Sequence, residues 1–285
     1  MRYAHLHRRR HRYAIRMMCR LLKVSRSGYY DWRDRSESDR AQRDRALLPL
    51  IRQAHLESRG VYGSRKVHRE LLAQGHACGR HKVAKLMRRA GLKGCPKRRF
   101  RKLPETPARY PVAPNRLQQD FTVDRVNAHW ASDITCISTR QGWLYLAVVM
   151  DLYSRRIVGW AMDRRTGRQL VVEAMTMALN LREAPNIHHS DRGPQYTSDD
   201  FRDLLKQHGI DCSMSGKGSC YDNAPVESFF SLLKRERVRR QTYATREEAK
   251  SDVFDYIERF YNRQRRHSYL DYVSPVAFEE QAMRA

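Results

Sequence analysis

The chain has 285 residues and carries 56 Lys and Arg against 31 Asp and Glu, a formal charge of +25. Charge of this size, spread along the sequence, predicts salt-sensitive binding to a polyanion such as nucleic acid. The longest purely apolar run, 144–150, is far shorter than the roughly 20 residues of a membrane-spanning helix, which disfavours a membrane protein. Six cysteines without a Cys-x-x-Cys pair, and no apolar secretory segment, favour a reduced cytosolic protein without a zinc module.

Residues 1–40 are predicted to form a small helical segment. Apolar residues recur there at helical spacing, and a short turn and a second helical start follow them. The apolar positions are Ile15, Met18, Cys19 and Leu22. The pattern is as typical of a small DNA-binding element as of an amphipathic helix that packs on its neighbour.

A helix-turn-helix-like DNA-binding domain is predicted for residues 41–95. Ser64 can cap its first helix and Gly75 can end it. A second helix follows Gly79. The apolar positions predicted for the two helices are Val67, Leu71 and Leu72, then Val83, Leu86, Met87 and Ala90.

The second of these helices would expose a row of basic side chains opposite its apolar face. Cations in this position meet the phosphates of a DNA groove in helix-turn-helix proteins. The predicted DNA-contacting residues are Arg80, Lys82, Lys85, Arg88 and Arg89, beside His81. A basic face that is merely solvated is the alternative, but two short helices with a glycine-bearing turn favour DNA binding.

Residues 96–125 are predicted to be a basic, proline-rich linker. The prolines keep the backbone extended, and the lysines and arginines can follow a phosphate backbone. Many such linkers are only solvated.

From residue 129 onward the pattern indicates strands, and then alternating helices and strands. Three strands joined by short turns are predicted at 129–138, 143–152 and 156–162. The later elements are predicted as helices at 167–182, 198–208 and 224–239, and as strands at 186–190 and 211–214. Together they predict the α/β class, a mixed sheet flanked by helices and preceded by a small all-α region.

Three carboxylates fall at informative points of these elements. Asp133 lies within an apolar strand, where an unpaired carboxylate is unfavourable, and Asp191 directly follows a short strand. Glu227 lies in the first turn of a helix that Asn223 can cap. Carboxylates that converge from different elements can hold two divalent ions about 3.5–4 Å apart, the arrangement that supports phosphodiester chemistry.

Each of these residues also has an ordinary alternative. Asp133 could bond buried amides or an arginine, and Asp191 could be a turn-forming aspartate. Lys234 shares the helical face of Glu227 and could bind the phosphate near the cut, or it could face solvent. Asp151 is a competing carboxylate, which we assign to a structural turn because a serine and two arginines soon follow it.

Residues beside the carboxylates would line the same cleft. The DNA contacts predicted there are His189, Asn223 and Lys234, and each could equally be structural. The glycine-rich stretch 215–219, before the helix of Glu227, is typical of a mobile active-site loop or of an idle connection.

The segments around these residues resemble one known family. They are WASDIT (130–135), HSDRGPQY (189–196), DNAPVESFF (222–230), VYGSRKV (61–67) and YNRQRRH (261–267). Together with Lys234, they resemble the DDE transposases of the insertion-sequence-three family, in the type encoded by the second reading frame (OrfB), and more distantly retroviral integrases. The resemblance spans nearly the whole chain, and the joint occurrence of the segments makes it specific.

This resemblance implies a ribonuclease-H-like integrase catalytic core with a five-stranded mixed sheet at 126–240, and a C-terminal helical extension at 241–285. It assigns Asp133, Asp191 and Glu227 as the catalytic, metal-binding triad, with two Mg2+ ions per active site and Mn2+ as a substitute. The implied reaction is cleavage at the ends of the element and joining of the freed 3′ hydroxyl to DNA. In this family the first joining is to the other end of the element, which gives a circular intermediate.

The resemblance also implies partners and a location. It predicts double-stranded DNA, a homo-oligomer on that DNA, no membrane, and a bacterial cytoplasmic, nucleoid-associated protein. Family members are often fused by frameshifting to an upstream product that supplies end recognition and a leucine zipper. No sustained leucine heptad appears near Met1, so the upstream product or its fusion is expected to be needed for specific end binding.

Two other functions fit part of the pattern. A non-catalytic DNA-binding regulator of transposition, with a ribonuclease-H-like shell, would bind DNA without metal-dependent cutting, and the intact triad argues against it. A ribonuclease acting on RNA–DNA hybrids would share the metal chemistry, but the helix-turn-helix-like segments favour duplex DNA.

Overall fold

The computed structural model describes residues 2–96, 113–216 and 222–284. Most of the predicted linker (97–112) and part of the glycine-rich stretch (217–221) lie outside the described residues. In the part of the chain that is described, each helix is too short or too polar to cross a lipid bilayer.

The N-terminal segment forms three short helices with a small core of their own. They are α1 (Arg2–Arg9), α2 (Ile15–Leu21) and α3 (Arg26–Asp34). Their shared core consists of Leu6, Met18, Cys19 and Tyr29. Ser25 caps α3 by accepting the N–H of Gly28 at 3.2 Å, which explains the turn expected between α2 and α3.

The predicted helix-turn-helix-like region is a long helix followed by two short ones. They are α4 (Asp39–Glu57), α5 (Ser64–Ala73) and α6 (Arg80–Arg89). Two predicted details are wrong. Gly63, not Ser64, is the N-cap of α5 and offers no side-chain bond. Leu72 is 41% exposed, because it lies off the face that Val67 and Leu71 form at i and i+4 spacing.

The centre of the molecule is a mixed five-stranded sheet in the order β3-β2-β1-β4-β5. The strands are β1 (His129–Thr139), β2 (Gly142–Asp151), β3 (Ile157–Asp163), β4 (Ile187–Ser190) and β5 (Asp211–Met214). Short turns make the first three antiparallel, whereas β4 runs parallel to β1, and β5 to β4, after helical crossovers. The mixed sheet flanked by helices, preceded by an all-α region, is confirmed.

Helices cover both faces of this sheet. They are α7 (Arg168–Leu181) and α8 (Asp199–Gln207) on one face, and α9 (Ala224–Glu236) and α10 (Arg246–Phe254) on the other. The cluster of buried side chains on the α9 face continues into α4, α5 and α6 through Ile51, Val67 and Leu86. The helix-turn-helix-like region and the sheet therefore share one hydrophobic core.

The C-terminal extension continues from α10 into a π-helix (Asp255–Tyr261) and ends with α11 (Pro275–Arg284). The segment 261–267 ties this extension to distant parts of the chain. Asn262 bonds both the N–H and the C=O of Ile157 in β3, each at 3.0 Å. The N–H of Arg266 donates to the hydroxyl of Tyr62 at 2.7 Å, just before α5.

The described end of the predicted linker, residues 113–125, is anchored to the sheet domain. Asn115 donates to Asp222 at 2.8 Å, and the N–H of Arg116 donates to the hydroxyl of Ser213 at 2.9 Å. Leu117 is buried. This part of the chain is therefore fastened to the sheet domain at these points, while most of its residues are exposed.

Candidate active site

The two aspartates come together because their strands are parallel neighbours. β1 and β4 pair in a register that sets Ala131 against His189. Asp133 follows Ala131 by two residues in β1, and Asp191 follows His189 by two residues, directly after β4 ends. Both aspartates therefore lie just beyond the paired part of β1 and β4, on the side of the carboxyl end of β4.

The ionisation of Asp133 reflects how close the predicted carboxylates lie to one another. Burial, then the charge of Asp191 and, more weakly, that of Glu227, raise the pKa of Asp133 to about 8. The N–H of Ile134 donates to Asp133 Oδ1 at 2.7 Å, and the Lys234 charge also acts to lower this pKa, but neither offsets the burial. The three carboxylates and Lys234 thus share one electrostatic environment.

Asp191 is oriented by the backbone of the turn that follows β4. The N–H of Gly193 donates to Asp191 Oδ1 at 2.8 Å, and burial raises the pKa of Asp191 above its usual range. A Cβ on Gly193 would lie 2.9 Å from this oxygen and 2.9 Å from Oε1 of Gln195. The turn therefore favours glycine at position 193 if the carboxylate is to keep its orientation.

Helix α9 carries Glu227 and is fastened to β1 directly beside Asp133. Asn223 occupies the N-cap position, but its side chain makes no capping bond to the helix. Its Nδ2 instead donates to the C=O of Ser132 at 2.9 Å. One turn further on, Glu227 is exposed toward solvent, and partial burial of its carboxyl raises the pKa of Glu227.

The donor set fits a hard divalent cation, which prefers carboxylate oxygens. Three carboxylates with raised pKa values lie in one environment, where a cation would favour their charged forms. Within residues 2–96, 113–216 and 222–284, no three His, Cys, Asp or Glu side chains lie together in an arrangement that could hold a metal ion. The three carboxylates would therefore have to rearrange to bind one cation together.

Comparison with known proteins identifies the family. Models of the integrase core domain match residues 123–220 and 227–283, and a model of an HTH-like domain matches 42–100. The chain is 42% identical over 283 residues to transposase InsF for insertion sequence IS3A of Escherichia coli strain K12, covering 98% of each chain. The chain belongs to the IS3 transposase family. An uncharacterized 31 kDa protein of insertion element IS600 from Shigella sonnei is 45% identical, over 92% of this chain and 97% of that protein.

Membership in the IS3 family makes this protein a transposase, an enzyme of DNA integration that acts on DNA. Similar solved structures include the HTLV-2 integrase catalytic core domain in complex with magnesium, at 15% identity over 54% of this chain and 96% of that chain, with a TM-score of 0.42. Another is the simian T-cell lymphotropic virus intasome in complex with PP2A regulatory subunit B56 gamma, at 14% identity over 79% and 73%, with a TM-score of 0.46. The predicted family and transposase activity are confirmed by the relatives and the family models.

In this transposase, the side chains of His189 and Asn223 are enclosed by protein. Both are buried, and His189 bonds the hydroxyls of Ser213 at 2.9 Å and Ser215 at 3.2 Å. Burial lowers the pKa of His189 to about 4, so its ring is neutral near neutral pH. The DNA contacts predicted for these two residues stay predictions, and the contacts that the structure shows for both side chains are with protein.

The basic face of α6 is partly engaged within the protein. As predicted, α6 buries Val83, Leu86 and Met87. Lys82 forms an ion pair with Asp44 of α4 at 3.0 Å, which ties the two helices together and departs from its predicted DNA contact. Lys85 is half-buried. The exposed cations of this face are Arg80, Arg88 and Arg89.

Asp151, the competing carboxylate, closes the turn between β2 and β3. It is fully buried and accepts the N–H groups of Asn127 at 2.7 Å, Tyr153 at 2.8 Å and Ser154 at 3.1 Å. The structural turn role assigned from the sequence is confirmed.

Ser132 is a site residue that sequence reasoning missed. Its C=O holds Asn223, and its hydroxyl bonds Nε2 of the buried His188 at 2.7 Å. Strand alternation sets Ser132 on the opposite face from Asp133 and so signals its burial, but no local pattern reveals partners that are distant in sequence.

Proposed function

We propose that this transposase cleaves DNA at the ends of its insertion element with the help of divalent metal, and joins the freed 3′ hydroxyl to DNA. The observation that carries the proposal is that the charges of Asp191 and Glu227 both act on Asp133 and, together with burial, raise its pKa to about 8. These carboxylates would hold two Mg2+ ions, with Mn2+ as a substitute. Such ions activate the attacking oxygen and stabilise the leaving oxygen.

The other residues of the site would position these groups and the DNA. Lys234, two turns after Glu227 on the same face of α9, would bind the phosphate beside the cut. The N–H of Gly193 would keep Asp191 oriented, and Asn223 would hold the start of α9 beside Asp133. The cations proposed to bind the DNA backbone are Arg80, Lys85, Arg88 and Arg89.

The working species would be a homo-oligomer on DNA, because an element has two ends that must be brought together. The upstream-frame product or its fusion would supply end specificity, and the site of action would be the bacterial nucleoid in the cytoplasm. The proposed parts are the N-terminal segment 1–40, the DNA-binding domain 41–95, the linker 96–125, the catalytic core 126–240 and the extension 241–285.

Cleavage of a plasmid that carries both ends of the element, in Mg2+ or Mn2+, tests the proposal. The variants are Asp133→Asn and the matched control Asp203→Asn, which removes an exposed carboxylate on α8 outside the site. Wild type and control should cut at the ends, whereas Asp133→Asn should bind DNA and cut only at background. Equal cutting by Asp133→Asn would contradict the triad assignment.

If the chain alone does not cut, the assay is repeated with the chain fused to the upstream reading frame. Cutting by the fused protein, lost in its Asp133→Asn form, would support the proposal. A fused protein that binds the ends but never cuts would be a DNA-binding regulator, and the proposal would fail.

A further inference from the structure

A cationic cavity lies between the helix-turn-helix-like region and the end of helix α9. Its volume is about 280 Å3, far more than the roughly 30 Å3 that one water occupies. The basic residues of its wall are Lys93, Arg235, Arg239 and Arg240. No acidic residue lines the cavity in the described part of the chain. Its charge and size suit a phosphate group.

The wall is built from contacts between segments that are distant in sequence. The N–H of Cys95 donates to the C=O of Val61 at 3.0 Å, and its thiol donates to the C=O of Arg235 at 3.3 Å. A Cβ on Gly94 would lie 2.5 Å from the backbone nitrogen of Gly63. The close approach of the backbone at position 94 to the backbone at position 63 therefore requires glycine at position 94. The wall of the cavity is therefore formed by specific contacts between these segments.

Arg235 points most directly to an anionic ligand. Its side chain is only 14% exposed, and its Nε is buried without a hydrogen-bond partner among the described residues. Glu236 lies 3.6 Å from it, but this carboxylate already accepts two hydrogen bonds from Arg265 at 2.7 and 2.6 Å. Nε itself is closed off from the cavity, so an anion there would be held by the charge of Arg235, which Glu236 balances only while it is also paired with Arg265.

The cavity also lies on a path of positive charge between the two proposed DNA-binding regions. A neighbouring depression of about 210 Å3 shares Lys93 and Gly94 with it and reaches Arg88 of α6. On the other side, Arg235 directly follows Lys234, whose charge acts on Asp133. A DNA strand held by α6 could therefore pass the cavity on its way to the carboxylates.

We infer that this cavity binds a phosphodiester of the DNA whose end is cut at Asp133, Asp191 and Glu227. The inference rests on the proposed function, since it takes the same DNA as its ligand. Arg235 is eight residues after Glu227, which is about 12 Å along a helix. A duplex that runs along α9, rising about 3.4 Å per base pair, would place the bound phosphate about three to four base pairs from the cut.

The first test measures DNA binding by the full chain in the absence of divalent metal. A duplex of the element end is titrated at several salt concentrations with wild type, Lys93→Gln and the matched control Lys206→Gln, an exposed lysine on α8. Losing one phosphate contact should reduce the slope of log affinity against log salt by about 0.9 in Lys93→Gln and leave it unchanged in the control. Equal slopes in both variants would overturn the inference.

The second test uses the chain fused to the upstream reading frame, which is proposed to supply end specificity, and identifies the phosphate by replacing single phosphates of the end duplex with neutral methylphosphonates. Wild type should lose affinity at one position three to four base pairs from the cut, by about the loss that Lys93→Gln or Arg235→Gln shows on unmodified DNA. In either variant, a methylphosphonate at that position should cause no further loss of DNA affinity. Losses that add fully at every position would overturn the inference.

The cleavage proposal and the phosphate-site proposal can be refuted independently of each other. Metal-free binding does not use the carboxylates, so an unchanged salt slope would leave the cleavage proposal intact. Cutting that survives in Asp133→Asn would leave the phosphate site intact. Lys93 is exposed, so its variant gives the binding result even if Arg235→Gln does not fold.

Discussion

Helix α9 holds a glutamate near each end, and their pKa values are shifted in opposite directions: that of Glu227 is raised and that of Glu236 is lowered. Near its start, Glu227 is exposed and contributes to the charge that, with burial, raises the pKa of Asp133 to about 8. Near its end, Glu236 is buried and accepts hydrogen bonds from Arg265 at 2.7 and 2.6 Å and from Tyr256 at 2.9 Å. Burial alone would raise the pKa of Glu236, but Arg265 lowers it below its usual range.

One helix thus carries Glu227, which is proposed to bind metal, and Glu236, which stabilises the fold. A buried carboxylate that is fully bonded to its own partners needs no ligand, and it fastens the C-terminal extension to α9. Carboxylates that crowd together without such partners are unfavourable in the free protein and become favourable when a cation binds. The anchored end of α9 therefore keeps the reactive end in place.

The largest expected effect comes from changing the two glutamates of α9 in the same way. Glu236→Gln should lower the free energy of unfolding by about 3–5 kcal/mol, because it leaves the buried charge of Arg265 unbalanced. Glu227→Gln should leave stability nearly unchanged and reduce cutting to background, because it removes a proposed metal ligand. Urea unfolding and plasmid cleavage measure the two effects.

A control tests whether the stability loss comes from the broken pair. The double variant Glu236→Gln/Arg265→Met, which removes both charges, should recover part of the lost stability. If Glu227→Gln were as destabilising as Glu236→Gln, the contrast between the two ends of α9 would be wrong.

The pH dependence of stability should have opposite signs for Asp133, in β1, and for Glu236, near the end of α9. The folded pKa of Asp133, about 8, exceeds its ordinary value of 3.8, so its contribution is complete below pH 3.8 and is lost as the pH rises to about 8. Glu236 has a lowered pKa, so its contribution is lost as the pH falls through that pKa. Metal-free wild type should therefore lose thermal stability relative to Asp133→Asn between about pH 5 and pH 8.

Thermal melts of both proteins across this range, with and without Mg2+, check the prediction. Mg2+ should stabilise wild type more as the pH rises, because binding requires the deprotonated carboxylate. A difference in Tm between wild type and Asp133→Asn that does not change with pH would show that Asp133 keeps an ordinary pKa.

The smallest expected effect is that of Asn223→Ala, which removes the bond between α9 and the C=O of Ser132. Losing one buried hydrogen bond should cost about 1–3 kcal/mol. Because the start of α9 is then less firmly held beside Asp133, cutting should fall while salt-dependent DNA binding stays unchanged. A fall in DNA affinity with unchanged cutting would instead restore Asn223 as a DNA contact.

Much of the fold could be predicted because its signals are local. The alternation of apolar residues predicted β1 as 129–138, and the structure has His129–Thr139. Helical spacing likewise predicted α7 within two residues at either end. Errors arose where a cap depends on backbone geometry, as at Gly63, or where exposure depends on a neighbouring helix, as at Leu72.

The sequence by itself determined the family, the fold class, the strands that carry the aspartates and the helix that carries Glu227, because residue spacing and periodicity are properties of nearby residues. Only the tertiary structure decided which residues meet. It brought Asp191 close enough for its charge to raise the pKa of Asp133, bound Lys82 to Asp44, buried His189, and joined α6 to the end of α9 around a cationic cavity. These contacts join residues far apart in the chain, and their geometry depends on how whole elements pack.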